Sequence, residues 1–305
     1  MNDKSKRVKN RLWWEITFFV LGVGSGYYAF AFSESEAQRL HVLDSPIAGT
    51  VDGKYRITGE AYRTDGSDQI LQSRLNSSNV VYYFLERKEL VDGDWTPLTP
   101  LTESVPYFLR DDSGDVYVEQ AKVVGAFSRE VQRMNVRRRE AMLMVAESAT
   151  AIGDIRLQPD GTRNFIGDIT PTRFYSDATN IFVLLAKYFA YINVFFFVVT
   201  LAADYRSSRY GRGVQAFVCL MVTFILGLSF ELCLYQQSHA LLLQDYQFVH
   251  QNLIAAEGKL PRNEWILGVD AYNHHIELLS NEADVFPNNL AITVFGLNVP
   301  KAIQR

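Results

Sequence analysis

Three long apolar runs interrupt an otherwise mixed chain. Ile16–Phe32 is 17 residues without a charge. Ile181–Ala203 is 23 residues with Lys187 as its one charge, and Val214–Tyr235 is 22 residues with Glu231 as its one charge. A helix needs about 20 predominantly apolar residues to cross a bilayer, with a range of roughly 17–25. No polar stripe at helical spacing divides these runs, so a buried core helix explains them poorly. The pattern predicts transmembrane helices at 13–32, 178–203 and 214–235. Trp13, Trp14, Tyr27 and Tyr28 flank or end the first run, as an interfacial aromatic belt would. Ala29-Phe30-Ala31 has the small-x-small form of a signal cleavage site, but the bulky Tyr27, Tyr28 and Phe30 favour a retained anchor.

Between the first and second runs the period changes. Residues 33–177 read as β-rich, with turn dipeptides Asp52-Gly53, Asp92-Gly93, Ser113-Gly114 and Asp160-Gly161 separating short apolar segments. Strands are expected at 54–61, 79–89, 105–110 and 115–119. The clearest hairpin is Pro106–Glu119, turning through Asp111, Asp112, Ser113 and Gly114, with Gly114 supplying a left-handed backbone. Residues 148–174 return to strand-like spacing. Residues 236–305 read as helical: 236–257 would continue the third apolar helix, and 263–284 would form another. The expected class is therefore a membrane protein of α+β type, with a β-rich exported domain, three transmembrane helices and a helical C-terminal tail.

Charge orients this arrangement. Residues 1–12 carry a net +4 and residues 204–213 a net +2, so both are expected on the cytoplasmic side. The domain at 33–177 and the tail at 236–305 together carry −9 and are expected to be exported. The whole-chain figures, a formal charge of −4 and a mean hydropathy of −0.04, conceal this split. They do argue against nucleic-acid binding. Lys187 and Glu231 lie about 9 Å and 6 Å inside the ends of their runs, at 1.5 Å per residue. Intramembrane charges pair or snorkel, and a Lys187–Glu231 ion pair is the sharper expectation. Gly22, Gly24 and Gly26 supply one GxxxG spacing for helix contact.

Candidate chemistry elsewhere is sparse. The two cysteines, Cys219 and Cys233, allow neither a disulfide framework nor a cysteine-type zinc site. Asp111, Asp112 and Asp115 lack the spacing of an EF-hand, so turn chemistry explains them better than calcium. Arg137-Arg138-Arg139 reads as a solvated helix or loop face, with acidic lipid headgroups as the alternative ligand. His274-His275 would diverge by about 100° on a helix, which suits packing better than shared metal ligation. No phosphate-binding loop, nucleophile elbow or zinc-protease motif is present. No catalytic residue, metal or cofactor is expected.

An ordered set of segments resembles a known family. It comprises Gly59-Glu60-Ala61, Leu71-Gln72-Ser73, Val80-Val81-Tyr82-Tyr83, Trp95, Pro106–Val118, Arg139-Glu140, Ile152-Gly153-Asp154 and Arg173-Phe174-Tyr175-Ser176. The set is similar to the GIDE, or "beside a membrane" (BAM), domain of MULAN-type E3 ubiquitin ligases, in which two membrane helices flank the domain. The resemblance covers about 135 residues. Those ligases end in a RING built on eight Cys/His ligands, and this chain has neither the ligands nor their spacing, so ligase chemistry does not carry over. Tyr272-Asn273, Phe286–Ala291 and Phe295-Gly296 resemble the closing segment of LemA proteins. The resemblances imply a non-enzymatic multi-pass protein of the cell envelope, in a bacterial inner membrane. Its expected partners are the lipid bilayer and an envelope protein, a LemA-like one among the candidates. The other classes are an oligomeric effector or pore, with self-association through the spans, and a ligase by domain homology only.

Overall fold

The computed structural model describes residues 3–63, 71–75, 77–124, 127–175, 181–204 and 212–304, with side chains placed except at 3–12, 34–40, 127–129, 200–204 and 212–220. The expected cytoplasmic loop at 204–213 falls almost wholly outside the described residues. The chain is α+β and divides into two compact units. One takes residues 1–41, 177–243 and 280–299, and the other residues 42–176, 244–279 and 300–305.

The second unit contains all ten described strands: β1 (Leu43–Asp44), β2 (Gly53–Arg63), β3 (Val80–Val91), β4 (Asp94–Ser104), β5 (Tyr107–Arg110), β6 (Asp115–Val123), β7 (Phe127–Arg133), β8 (Val136–Met144), β9 (Ser148–Leu157) and β10 (Arg163–Pro171). Alternation drives the barrel-like sheet. In β2 the positions Gly53, Tyr55, Ile57, Gly59 and Ala61 are buried while those between them reach solvent. The neighbour order is β2-β5-β6-β10-β9, and β9 pairs back to β2, closing the ring; β1 adds in parallel to β2. The β6–β10 pair is also parallel. Tyr55, Ile57, Leu109, Val116, Ile155, Phe165 and Ile169 fill the buried core. Gly153 and Gly167 face each other across β9 and β10, where the backbones leave no room for a Cβ.

The other sheet runs β4-β3-β8-β7. Val80, Tyr83, Leu85 and Met142 form its core. Asp92 and Gly93, with φ of 51° and 91°, make the tight β3–β4 turn. The Arg137–Arg139 run corrects the helix-or-loop expectation: it lies in β8, where Arg137 pairs with Glu130 and Arg139 approaches Glu86 and Glu130. Cross-strand partners, invisible to a local reading, make a strand of an arginine-rich segment.

Helical residues complete this unit. They come from α3 (Arg212–Ala255) and α4 (Arg262–Ala283). Trp265 Nε1 donates to the Leu253 carbonyl at 2.9 Å. Gly49 and Gly268 touch backbone to backbone, since a Cβ at Gly268 would sit 2.2 Å from the Gly49 oxygen. The Asn273 side chain clasps Ile303 as a strand neighbour would, accepting from its N–H at 2.7 Å and donating to its carbonyl at 3.0 Å.

The first unit is helical, drawing on α1 (Asp3–His41), α2 (Ile181–Asp204), the start of α3, the end of α4 and α5 (Asn288–Phe295). Phe18 packs on Phe196, Gly22 on Asn193 and Gly26 on Ala190, so α1 and α2 run antiparallel. Among the described residues two helices, rather than the three expected, are long and apolar enough to cross a membrane: Trp13–Ser33 and Ile181–Val199. The third expected span lies in α3, where side chains at 214–220 are outside the described set. Its described part meets Glu231 and then Gln236-Gln237-Ser238, which dilute the apolar window. As expected, α3 continues past the apolar run without a break.

Candidate functional site

Within the helical unit, α2 and α3 bring together the two lone charges of their apolar runs. Lys187 Nζ stands 2.8 Å from Glu231 Oε1, and about 30% of each side chain remains exposed (31% and 29%). Tyr191 follows Lys187 by one helical turn. Its buried hydroxyl lies close to Glu231, outside hydrogen-bonding geometry, and has no hydrogen-bond partner among the described residues. A buried hydroxyl left in this state carries a desolvation cost that a bonded ligand atom would relieve.

Beside this polar group runs a cleft of about 380 Å³. Helix α1 supplies Gly22, Gly26, Tyr27 and Phe30; α2 supplies Ala190, Tyr191 and Val194; α3 supplies Thr223, Leu226, Gly227 and Phe230. The glycines create it. Gly22 rests against Asn193 and Val194, and Gly26 against Phe230 and Ala190, so two of the three motif glycines face neighbouring helices. Gly24 meets nothing within 4 Å and faces away. The packing order places the Lys187–Glu231 pair at the end of the cleft nearest Phe30, Ala190 and Phe230.

A second polar cluster in the same unit escapes sequence reasoning. His239 is 95% buried, being 5% exposed. Its Nδ1 lies 2.7 Å from Ser238 Oγ, and Tyr235 stacks on the ring with centroids 4.0 Å apart. Nε2 is 3.7 Å from Glu282 Oε1, and the His41 ring is 5.8 Å from that of His239. His239, with His41 assisting, holds the Glu282 carboxyl below its usual range against the opposing effect of burial.

The hairpin residues singled out in the sequence serve the fold of the β unit. Asp111 Oδ1 accepts from the Ser113 and Gly114 N–H groups at 2.8 and 2.9 Å and from the Ser113 hydroxyl. Its Oδ2 accepts from the Ile47 N–H, while Ser113 Oγ accepts from the Ala48 N–H. The carboxylate's lone pairs are thus committed to backbone donors, as in an Asx turn. Asp112 is exposed. Gly114 corrects one expectation: its φ is not positive, because Asp111 closes the loop through side-chain bonds instead.

Two further long-range pairs anchor the same unit. Arg163, 8% exposed, donates to the Thr50 and Ala48 carbonyls and to Glu264 at 2.8 Å. Glu140, fully buried, accepts from the Ser73 hydroxyl at 2.6 Å and the Arg74 N–H at 3.1 Å. The rings of His274 and His275 stand at 89° to each other. His275 donates from Nδ1 to the Ala271 carbonyl and accepts the Asp44 N–H at Nε2, which fixes the neutral tautomer. Among the described residues no group of three or more His, Cys, Asp or Glu is arranged to hold a metal ion. No protein-family model, curated protein or solved structure matches the chain.

Proposed function

We propose that this chain is a multi-pass membrane protein without catalytic activity, whose barrel-like unit binds an envelope protein or lipid outside the bilayer. One observation carries the reading. Only 17% of each apolar window is buried. Trp13, Phe19, Val20, Ile181, Phe182, Leu185 and Ile192 are all exposed on those helices. Core helices of a water-soluble protein bury such residues, and an exposed apolar surface of this extent requires a covering of lipid or protein.

On this reading 214–235 is a third span, the N-terminus is cytoplasmic, and the β-rich unit is exported across a bacterial inner membrane. The positive 1–12 and 204–213 segments and the acidic remainder support that orientation. The GIDE-like and LemA-like segments support an envelope role. The test is alkaline carbonate extraction of cell membranes, combined with thiol labelling of Ser77→Cys and Ser207→Cys in a background lacking Cys219 and Cys233. Retention in the pellet, with position 77 alone labelled from outside, is the expected result. Release into the supernatant, or outside labelling of position 207, would overturn it.

A further inference from the structure

We propose that the cleft between α1, α2 and α3 binds one phospholipid with a zwitterionic headgroup, phosphatidylethanolamine in type. This rests on the membrane reading above and names the ligand of its intramembrane site. The cleft walls are apolar, as an acyl chain demands, and the Lys187–Glu231 pair stands about one helical turn beyond the Ala190 and Gly227 positions that line it. The volume, about 380 Å³, suits most of one acyl chain, leaving the second chain in the surrounding bilayer.

Charge chooses among lipids. Lys187 and Glu231 offer one cation and one anion 2.8 Å apart, each still partly exposed. A headgroup bearing a phosphate and a primary ammonium satisfies both, the phosphate on Lys187 and the ammonium on Glu231. A purely anionic headgroup would set its phosphate against the Glu231 carboxylate. A quaternary ammonium has no N–H to donate to that carboxylate. The Tyr191 hydroxyl supplies the donor that an ester or phosphate oxygen lacks in hydrocarbon. Depth agrees: the pair lies about 6–9 Å inside the ends of the apolar runs, within reach of the ester layer of that leaflet.

Two glycines make the experiment specific. A Cβ at Gly227 meets only the Tyr191 ring, at 3.9 Å, so a leucine there enters the cleft without striking backbone. A Cβ at Gly24 meets nothing, so Gly24→Leu adds the same bulk outside it. The full-length protein in detergent is titrated with phosphatidylethanolamine, phosphatidylcholine and phosphatidylglycerol, and bound lipid is read by native mass spectrometry. Wild type and Gly24→Leu are expected to retain one phosphatidylethanolamine, with Gly227→Leu weaker by about tenfold or more. The double variant Lys187→Met/Glu231→Met is expected to bind all three lipids alike. Equal retention by Gly227→Leu, a wild-type preference for phosphatidylglycerol, or a second copy of the chain filling the cleft would overturn the proposal. Carbonate-resistant protein that retains no lipid would sink this inference and leave the membrane reading standing. Protein that partitions into the soluble fraction would sink both.

Discussion

Gly153 and Gly167 stand directly opposite each other in the β9–β10 ladder, with the Phe165 ring against both. A Cβ on Gly153 would lie 2.3 Å from the Ile166 oxygen, and one on Gly167 would lie 2.5 Å from the Ile152 oxygen. Neither obstacle is a movable side-chain end. Gly153→Ala is therefore expected to destabilise the β unit by at least the ~1–3 kcal/mol of ordinary overpacking. Gly24→Ala, where space is open, is expected to change nothing measurable. Thermal melts followed by near-ultraviolet circular dichroism would compare the two, and equal melting would refute the account.

Removing one partner of the Arg163–Glu264 pair is expected to be asymmetric. Arg163→Met strands the Thr50 and Ala48 carbonyls as well as Glu264, and is expected to cost about 3 kcal/mol. Glu264→Gln keeps an acceptor for the guanidinium and is expected to cost about 1 kcal/mol. Denaturant midpoints at constant slope would measure both. A larger loss for Glu264→Gln would show that the carbonyl contacts contribute little.

Acid is expected to act on the two units in different windows. Burial, the main cause, holds the His275 imidazole below its usual value of 6.5. The unfolded state then binds the proton more readily, so this contribution is complete above about pH 6.5 and shrinks as pH falls below it. The depressed Glu282 carboxyl acts lower: its contribution is complete above its usual 4.5 and is lost as pH falls through its folded value. Hydrogen exchange from pH 7.5 to 4 is expected to show β-unit amides loosening first. His275→Gln, which keeps an acceptor without titrating, is expected to remove that early loss. Unchanged pH dependence in the variant would rule His275 out.

The Lys187–Glu231 contact predicts pairwise compensation. Lys187→Met and Glu231→Gln are each expected to lower detergent-phase melting temperature by several degrees. The swap Lys187→Glu/Glu231→Lys is expected to restore much of the loss. If both single variants are silent, the pair contributes nothing. Ion flux from reconstituted vesicles separates the pore alternative: a binding protein leaks no more than empty vesicles, whereas a pore's flux would collapse on neutralising either charge.

The sequence shows those elements whose pattern is local. Alternation in β2 and the Asp111–Gly114 turn mark the barrel strands, and isolated charges in apolar runs point at Lys187 and Glu231. What escapes is what depends on distant partners. No strand is expected at β4, which forms by pairing with β3, and β8 reads as a solvated basic face because Glu86 and Glu130 come from other strands. Ring closure by β9 onto β2, nearly 100 residues away, has no local signal. In the candidate site, the spacing of Gly22 and Gly26 is visible, but the unsatisfied Tyr191 hydroxyl is not. The Arg163–Glu264 and Ser73–Glu140 pairs join residues 101 and 67 positions apart.

Because β9 pairs back to β2, the barrel presents no long free edge on which a foreign strand could grow. That hazard falls instead on the outer margins of the second sheet, β4 and β7. Pro97 and Pro100 in β4 cannot donate to an incoming strand. β7 has no proline, and Glu130 with its arginine partners stands in its place. Exposed ion pairs of this kind add little to folding free energy, about 0–1 kcal/mol each. Their consequence is colloidal: the charge row of Glu86, Glu130, Arg137 and Arg139 keeps this sheet from recruiting others, and neutralising it is expected to yield folded protein that aggregates through β7.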